Sequence, residues 1–326
     1  MGTEAGRIGT ASRAGITVGR SSLEASGTLM RVAFDEPRSR FDSIGLEWLG
    51  GDQAEEHWRI AGPIESGQED GLRFRQAGEL LYIACELPDD GHGDPAGQTE
   101  LLYGKILALA KARGCPTLLR AWNFLPEINR GDGDRERYRR FCLGRARALE
   151  AADIREPELC AGTAIGGDDP NLRIQVLTGR HAGINIENPR QVSAYRYPRI
   201  YGPRSPSFAR ATAIGQPDGS TLLMISGTAS VVGHRTVHEG DLGAQTEEII
   251  VNLGTVLQQS VQRLGRSGLG SFGSHSLMRA YVRHAEDWPE VRERLRAAWP
   301  DTPVIGLRGD VCRSDLLVEI EAVTSG

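Results

Sequence analysis

The chain has 326 residues, 39% of them hydrophobic and 25% charged, with a formal net charge of -5. That length suits two domains, and the composition is that of a globular protein. The acidic balance gives no basis for a nucleic-acid surface, and no run of about 18 apolar residues exists to cross a bilayer.

In chain order, residues 1–27 are polar, rich in Gly and Ser, and contain no apolar stretch. They read as a flexible tail rather than a signal peptide. Residues 29–34 predict a strand, whereas 35–66 show no periodicity. Residues 72–76 and 80–85 flank Ala77-Gly78-Glu79 and predict a hairpin. A loop over 88–95 leads to a helix over 99–113, closed by Gly114. A strand over 117–124, a Gly/Asp loop over 130–134, a helix over 135–152 and strands at 163–166 and 173–178 follow. The Pro- and Tyr-rich stretch 188–206 joins the halves.

The apolar run Leu222 to Ile225 predicts a buried strand ending at a small-residue turn, Ser226-Gly227-Thr228-Ala229. Residues 239–260 then form an amphipathic helix, with Ile249, Ile250, Leu253, Val256 and Leu257 on one face. A strand that ends in small residues just before a helix leaves room for a ligand. Leu316 to Ala322 alternates, which places Val318, Ile320 and Ala322 on one face and Glu319 and Glu321 on the other. By pattern alone such carboxylates face water. Asp310-Val311-Cys312 and this strand flank a short turn and predict a hairpin of open register.

Segments recur. Residues 80–85 match 222–227 in character, Gly97-Gln98-Thr99-Glu100 returns as Ala244-Gln245-Thr246-Glu247, and Leu118-Leu119-Arg120-Ala121-Trp122 returns as Leu277-Met278-Arg279-Ala280-Tyr281. Three matches in one order imply a tandem duplication. The expected fold class is α+β: two domains, 28–187 and 188–326, each a mixed β-sheet with helices packed on one face. The cysteines, five in number and without a C-x-x-C spacing, fit free thiols in a reducing cytoplasm.

Two arginines stand out. Arg145 shares the apolar face of its helix with Phe141 and Cys142, whereas Arg135, Arg137, Arg139, Arg140 and Arg147 suit a solvated face. Arg145 either snorkels or holds a buried anion, and a substrate carboxylate fits its planar fork. By composition alone residues 195–210 read as a stiff, exposed connector; the alternative is that Arg210, which shares a strand face with Phe208, Thr212 and Ile214, points inward, with Tyr201 and Arg204 suited to a polar rim. Gly268-Leu-Gly270-Ser-Phe-Gly273 follows a helix and precedes a strand, the wrong order for a dinucleotide fingerprint. His234 and His238 lack further ligands nearby, so no metal is expected.

The second half resembles the Rid (YjgF-type) family through Tyr201-Gly-Pro, Ser226-Gly227, Glu239-Gly-Asp, Ala244-Gln-Thr, Asn252-Leu253 and Glu319-Ile-Glu-Ala. Members hydrolyse enamines and imines of small acids with an arginine at the position held here by Val304. The whole chain, from about Leu72 onward, resembles the chorismatase family, whose members carry two Rid-like halves. The segments are residues 120–129, 136–141, Gly144-Arg145, 201–210, 226–230 and 312–319. This resemblance implies cleavage of the enolpyruvyl ether of chorismate to pyruvate, with either a dihydroxycyclohexadienoate or a hydroxybenzoate. It implies no cofactor, only a small-molecule substrate, and a monomer or small homo-oligomer. By this resemblance Glu319 protonates the vinyl ether, Cys312 shuttles a proton or shapes the pocket, and Arg145 with Tyr138 and Arg210 with Tyr201 hold the two carboxylates. Ala229 favours attack by water and hence the diene diol. The alternatives are a Rid-type imine hydrolase and a non-catalytic binder of small carboxylates.

Overall fold

A computed structural model describes residues 16–19, 26–34 and 43–326. Four strands come first: β1 (Ile16–Gly19), β2 (Ser26–Ala33), β3 (Glu47–Gly51) and β4 (Glu55–Ala61). The first half runs β5 (Glu65–Glu69), β6 (Leu72–Ala77), β7 (Leu80–Pro88), α1 (Pro95–Ala112), β8 (Thr117–Pro126), α2 (Arg137–Ala151), β9 (Ala161–Gly167) and β10 (Asn171–Gly179). The second runs β11 (Ile184–Ile186), β12 (Ala211–Gly215), β13 (Thr221–Ala229), the small hairpin β14 (Val231–Val232) and β15 (Arg235–Thr236), α3 (Leu242–Leu264), β16 (Ser276–Val282), α4 (Trp288–Ala298), β17 (Val304–Arg308), β18 (Asp310–Val311) and β19 (Val318–Ser325).

The duplication is visible in the topology. One sheet has the order β18-β9-β8-β10-β7-β6-β5 and the other β11-β12-β13-β19-β16-β17-β3. Without their outermost exchanged strands, β18 and β3, the two orders coincide, and the parallel pairs β8/β9 and β16/β17 fall at the same place. Equivalent helices begin at Asp caps: Asp94 accepts from the Ala96 N–H and Asp241 from the Ala244 N–H. Helix α3 stops at Gly265, whose φ of 66° is open to glycine and strained for most residues.

Alternation along each strand divides the interior into three large cores, with a small fourth one of Ala229, Val231, Val311 and Leu316 beside the small β14-β15 hairpin. Ile83, Ile174 and Val176 face α1 and α2, while Leu223, Ile225, Ile320 and Ala322 face α3 and α4. The opposite faces of the two sheets meet through Tyr82, Trp122, Met224, Leu277 and Tyr281. The small sheet β1-β4-β2 packs on the same core, with Trp58 edge-on to Trp122 at 5.7 Å. The molecule is therefore helices, sheet, sheet, helices.

Several expectations change. Within the span read as a tail, Ile16–Gly19 and the start of β2 are strand, and the remaining tail residues lie outside those described. Ile184–Ile186 falls before the boundary expected at 188, yet it pairs with β12 in the second sheet. Ser226 to Ala229 is no turn: β13 continues through it, and the register against β19 shifts between Ile225 and Thr228. The predicted hairpin of 310–322 does not form, because β18 leaves for the edge of the first sheet and pairs with β9. Glu319 and Glu321 do not face water. Each is 5% exposed, since the first sheet covers their face.

Candidate active site

A cavity of about 470 Å³ opens where the first half, the 188–206 linker and the inner face of β19 meet. Tyr138, Tyr201, Arg210, Ala229, Cys312 and Glu319 all line it. Arg145 does not. It borders a smaller cavity of about 40 Å³ that shares Tyr138, Cys312 and Glu319 with the larger one. That space holds a carboxylate or a water or two but not a ring.

Glu319 sits on the central strand β19, opposite Ala229 on β13 and Tyr281 on β16. The irregularity in β13 brings Gly227 against it: a Cβ built on Gly227 would fall 1.9 Å from Glu319 Oε1. Only glycine leaves room for the carboxyl there. Burial, and then the Glu321 carboxylate on the same face, push the Glu319 carboxyl up to about 8, against the pull of Arg120 and Arg210. Its ordinary form in this site at neutral pH is the acid.

Cys312 follows β18 and is half-buried. Burial and the nearby Glu319 charge raise its thiol, so it stays protonated at neutral pH. The Tyr138 phenol, on the first turn of α2, is likewise raised by burial. Two protonated donors thus flank the carboxyl.

The linker supplies the opposite wall. Tyr197 and Tyr201 pack at 5.5 Å, and the Tyr201 hydroxyl lies 3.2 Å from His234 Nδ1. Arg210 is 5% exposed and donates from Nη2 to the Val192 carbonyl (3.0 Å) and the Tyr197 hydroxyl (2.9 Å). Its Nε is buried without a hydrogen-bond partner. Arg145 donates from Nη1 to the Ser207 carbonyl and stacks over Tyr103 at 5.1 Å. Its Nε and Nη2 are buried without a hydrogen-bond partner, so the guanidinium does not snorkel to solvent.

Sequence reasoning missed Arg313, which stacks over Tyr201 at 4.1 Å and donates to the His234 carbonyl at 3.0 Å. It also missed Arg139, Tyr197 and Gly227 on the cavity wall. Arg313 had a signal, its place next to Cys312. Arg137, read as solvated, is instead 3% exposed and ion-paired with Asp89 at 2.5 Å, because the loop before α1 folds over it. All five cysteines are free thiols. Among the described residues no cluster of His, Cys, Asp and Glu suits a metal, and no helix is long and apolar enough to cross a membrane.

Comparison with known proteins fits this arrangement. Residues 56–178 match the family model "Chorismatase FkbO/Hyg5-like, N-terminal". The chain is 40% identical over 279 residues to the 3-hydroxybenzoate synthase of Streptomyces hygroscopicus, which covers 82% of this chain and 80% of the relative. It belongs to the chorismatase family. A chorismatase of Streptomyces rapamycinicus is 38% identical over 280 residues, covering 83% and 82% of the two chains. A chorismatase crystal structure at 1.08 Å resolution superposes with a TM-score of 0.82 at 32% identity, over 97% of this chain and 99% of that one. In this chorismatase-family fold the position where a Rid enzyme carries its arginine, Val304, is 1% exposed within the apolar core toward α3 and α4.

Proposed function

We propose that the chain cleaves the enolpyruvyl ether of chorismate and releases pyruvate. The observation that carries this reading is Glu319: a carboxylic acid kept protonated near neutral pH, on the wall of a cavity whose other walls bring guanidinium groups. Vinyl ether cleavage starts with a proton on the terminal methylene carbon, and an acid with a raised pKa is suited to deliver it. Glu319 gives its proton to that carbon, and the ether oxygen shares the resulting positive charge as an oxocarbenium ion. The carboxylate left on Glu319 stabilises this cation across the pocket. When water adds, it returns one proton to Glu319, and the hemiketal passes its hydroxyl proton to the ring oxygen as the bond between carbon and that oxygen breaks.

The substrate's two carboxylates match two guanidinium sites. Arg210, with Tyr201 across the cavity, takes the ring carboxylate. Arg145, with Tyr138, takes the enolpyruvyl carboxylate in the smaller cavity, which borders Glu319 and so places the methylene carbon beside the acid. Bidentate pairing of this kind fixes orientation as well as affinity. Cys312 serves as a neutral donor or a wall.

Two products are open to this chemistry. Attack by water gives a dihydroxycyclohexadienoate, so that products equal chorismate plus water. Attack from the ring's own hydroxyl returns its proton to Glu319 and gives a cyclic ketal; loss of a ring proton with cleavage of one ring carbon–oxygen bond makes the ring aromatic, the remaining ketal bond then breaks to release pyruvate and a hydroxybenzoate, and the products sum to chorismate. Ala229, opposite Glu319, favours the first. The relative named 3-hydroxybenzoate synthase, at 40% identity, favours the second. The deciding assay incubates the protein with chorismate, follows pyruvate with a coupled enzyme and separates the ring acids by chromatography. Equimolar pyruvate is expected, and the ring acid identifies the route. Folded protein that yields no pyruvate overturns the reading in favour of imine hydrolysis or simple binding.

A further inference from the structure

Beneath Glu319 lies a buried cluster of charges that the proposed chemistry does not use. Glu321, two residues along β19 on the same inner face, accepts at Oε2 from Arg120 Nη2 (2.6 Å) and from Thr163 Oγ1 (2.5 Å), and at Oε1 from Trp122 Nε1 (3.0 Å). Arg279, beside it on β16, lies 3.2 Å from Glu321 and donates from Nε to Glu56 Oε2 at 2.6 Å. Glu56 also accepts from Trp58 Nε1 at 2.5 Å. The four charged residues are 2–5% exposed. Two arginines and two glutamates balance one another, and each arginine is ion-paired inside the cluster rather than with Glu319.

Thr163 connects this cluster to the cavity. Its hydroxyl donates to Glu321 and accepts from Arg120 Nη2 (2.6 Å) and from the Gly227 N–H (3.0 Å). Gly227 is the surface on which the Glu319 carboxyl lies. A line of contacts therefore runs from Glu321 through Thr163 and Gly227 to Glu319, across both sheets.

We propose that Glu321 and Thr163 are positioning residues: Glu321 engages Arg120 and Arg279 so that neither pairs with Glu319, and Thr163 ties that carboxylate to the Gly227 surface beneath the acid. This inference rests on the reading of Glu319 as the proton donor. The other titratable groups around Glu319 are Tyr281 in its own sheet, Arg120 from β8, Tyr138, Cys142 and Arg145 from α2, Arg210 ahead of β12 and Cys312 after β18. Of these Arg120, Arg145 and Arg210 are cations, and none of them is ion-paired with Glu319; Arg145 donates to the Ser207 carbonyl across the small cavity. Arg120 is held by Glu321 and Thr163, and Arg210 donates to Val192 and Tyr197.

Glu321→Gln keeps the shape, removes the like charge and releases Arg120 toward Glu319. The alkaline limb of kcat against pH is expected to move down by about 1–3 pH units, with KM for chorismate unchanged. An infrared titration of the protonated carboxyl band, assigned by its loss in Glu319→Gln, reads the same shift without any turnover. Thr163→Val is expected to move limb and band the same way, because it releases Arg120 from its second partner, and Thr163→Ser to restore both. That pair carries the test if Glu321→Gln does not fold. A limb and a band that stay in place in Glu321→Gln and Thr163→Val overturn the inference. Absence of pyruvate from the unmodified enzyme defeats only the reading of the reaction, since the infrared titration still decides whether Glu321 keeps Glu319 protonated.

Discussion

At the scale of single residues, Glu319 has two properties that work together: a proton held to about pH 8, and a place on the wall between the two cavities. Glu319→Gln keeps the side chain's size and removes the acid. Turnover is expected to fall by about 10²–10⁴-fold, while chorismate affinity by calorimetry is retained; loss of affinity without loss of chemistry would contradict the assignment. Because the reactive form is the protonated one, kcat is expected to be level below about pH 8 and to fall above it. The sign follows from the shift: a raised carboxyl loses its proton late, so alkalinity removes the acid. Gly227→Ala would place a methyl group 1.9 Å from Glu319 Oε1 and force the carboxyl aside. Displacement of about 1 Å costs on the order of 10²-fold in kcat, and a thermal midpoint close to that of the unmodified protein separates this from misfolding. The sequence showed Glu319 through its family resemblance, and Arg145 through its place on an apolar helix face. It did not show Gly227 as the contact beneath the acid. A glycine's reason is the atom that would collide with it, and that atom lies on a strand nearly a hundred residues away.

At the scale of elements, the site depends on how β18 and α2 are placed. Had 310–322 formed the expected hairpin, Cys312 and Glu319 would have met or missed according to its register. Instead β18 pairs with Ile165 and Gly166 on β9, and the connection carries Cys312 and Arg313 across the cavity mouth. Helix α2, which presents Tyr138 and Arg145, lies against α1 so closely that a Cβ on Gly144 would meet the Ala96 carbonyl oxygen at 2.1 Å. Gly144→Ala is expected to destabilise the protein by about 1–3 kcal/mol through overpacking, read as a lower denaturation midpoint in urea. It also shifts the Arg145 end of the helix, so KM for chorismate should rise; an unchanged midpoint would show that the helices part without strain. Helix boundaries were legible to within a few residues, since caps and periodicity are local. The strand exchanges were not, because short edge strands such as Asp310–Val311 carry no pattern that names their partner.

At the scale of the molecule, each half completes the other's sheet: β3 closes the second sheet beside β17, and β18 closes the first beside β9. The inner sheet faces also share one apolar core with β1, β2 and β4. A fragment of residues 184–326 loses the strand on β17 and exposes that inner face. It is expected to aggregate or stay unfolded by size-exclusion chromatography and circular dichroism, whereas the full chain unfolds in a single thermal transition. A monomeric, folded fragment would show that the halves are independent. Read alone, the sequence determined the duplication, the α+β class, the helices and the chorismatase resemblance, because repeats, periodicity and motifs are properties of neighbouring residues. Only the tertiary structure decided that Glu319 and Glu321 are buried rather than solvated, that Arg145 faces a separate small cavity, and that Arg313 and Gly227 line the larger one. Those outcomes depend on which surface covers a given face, and that surface comes from the other half of the chain.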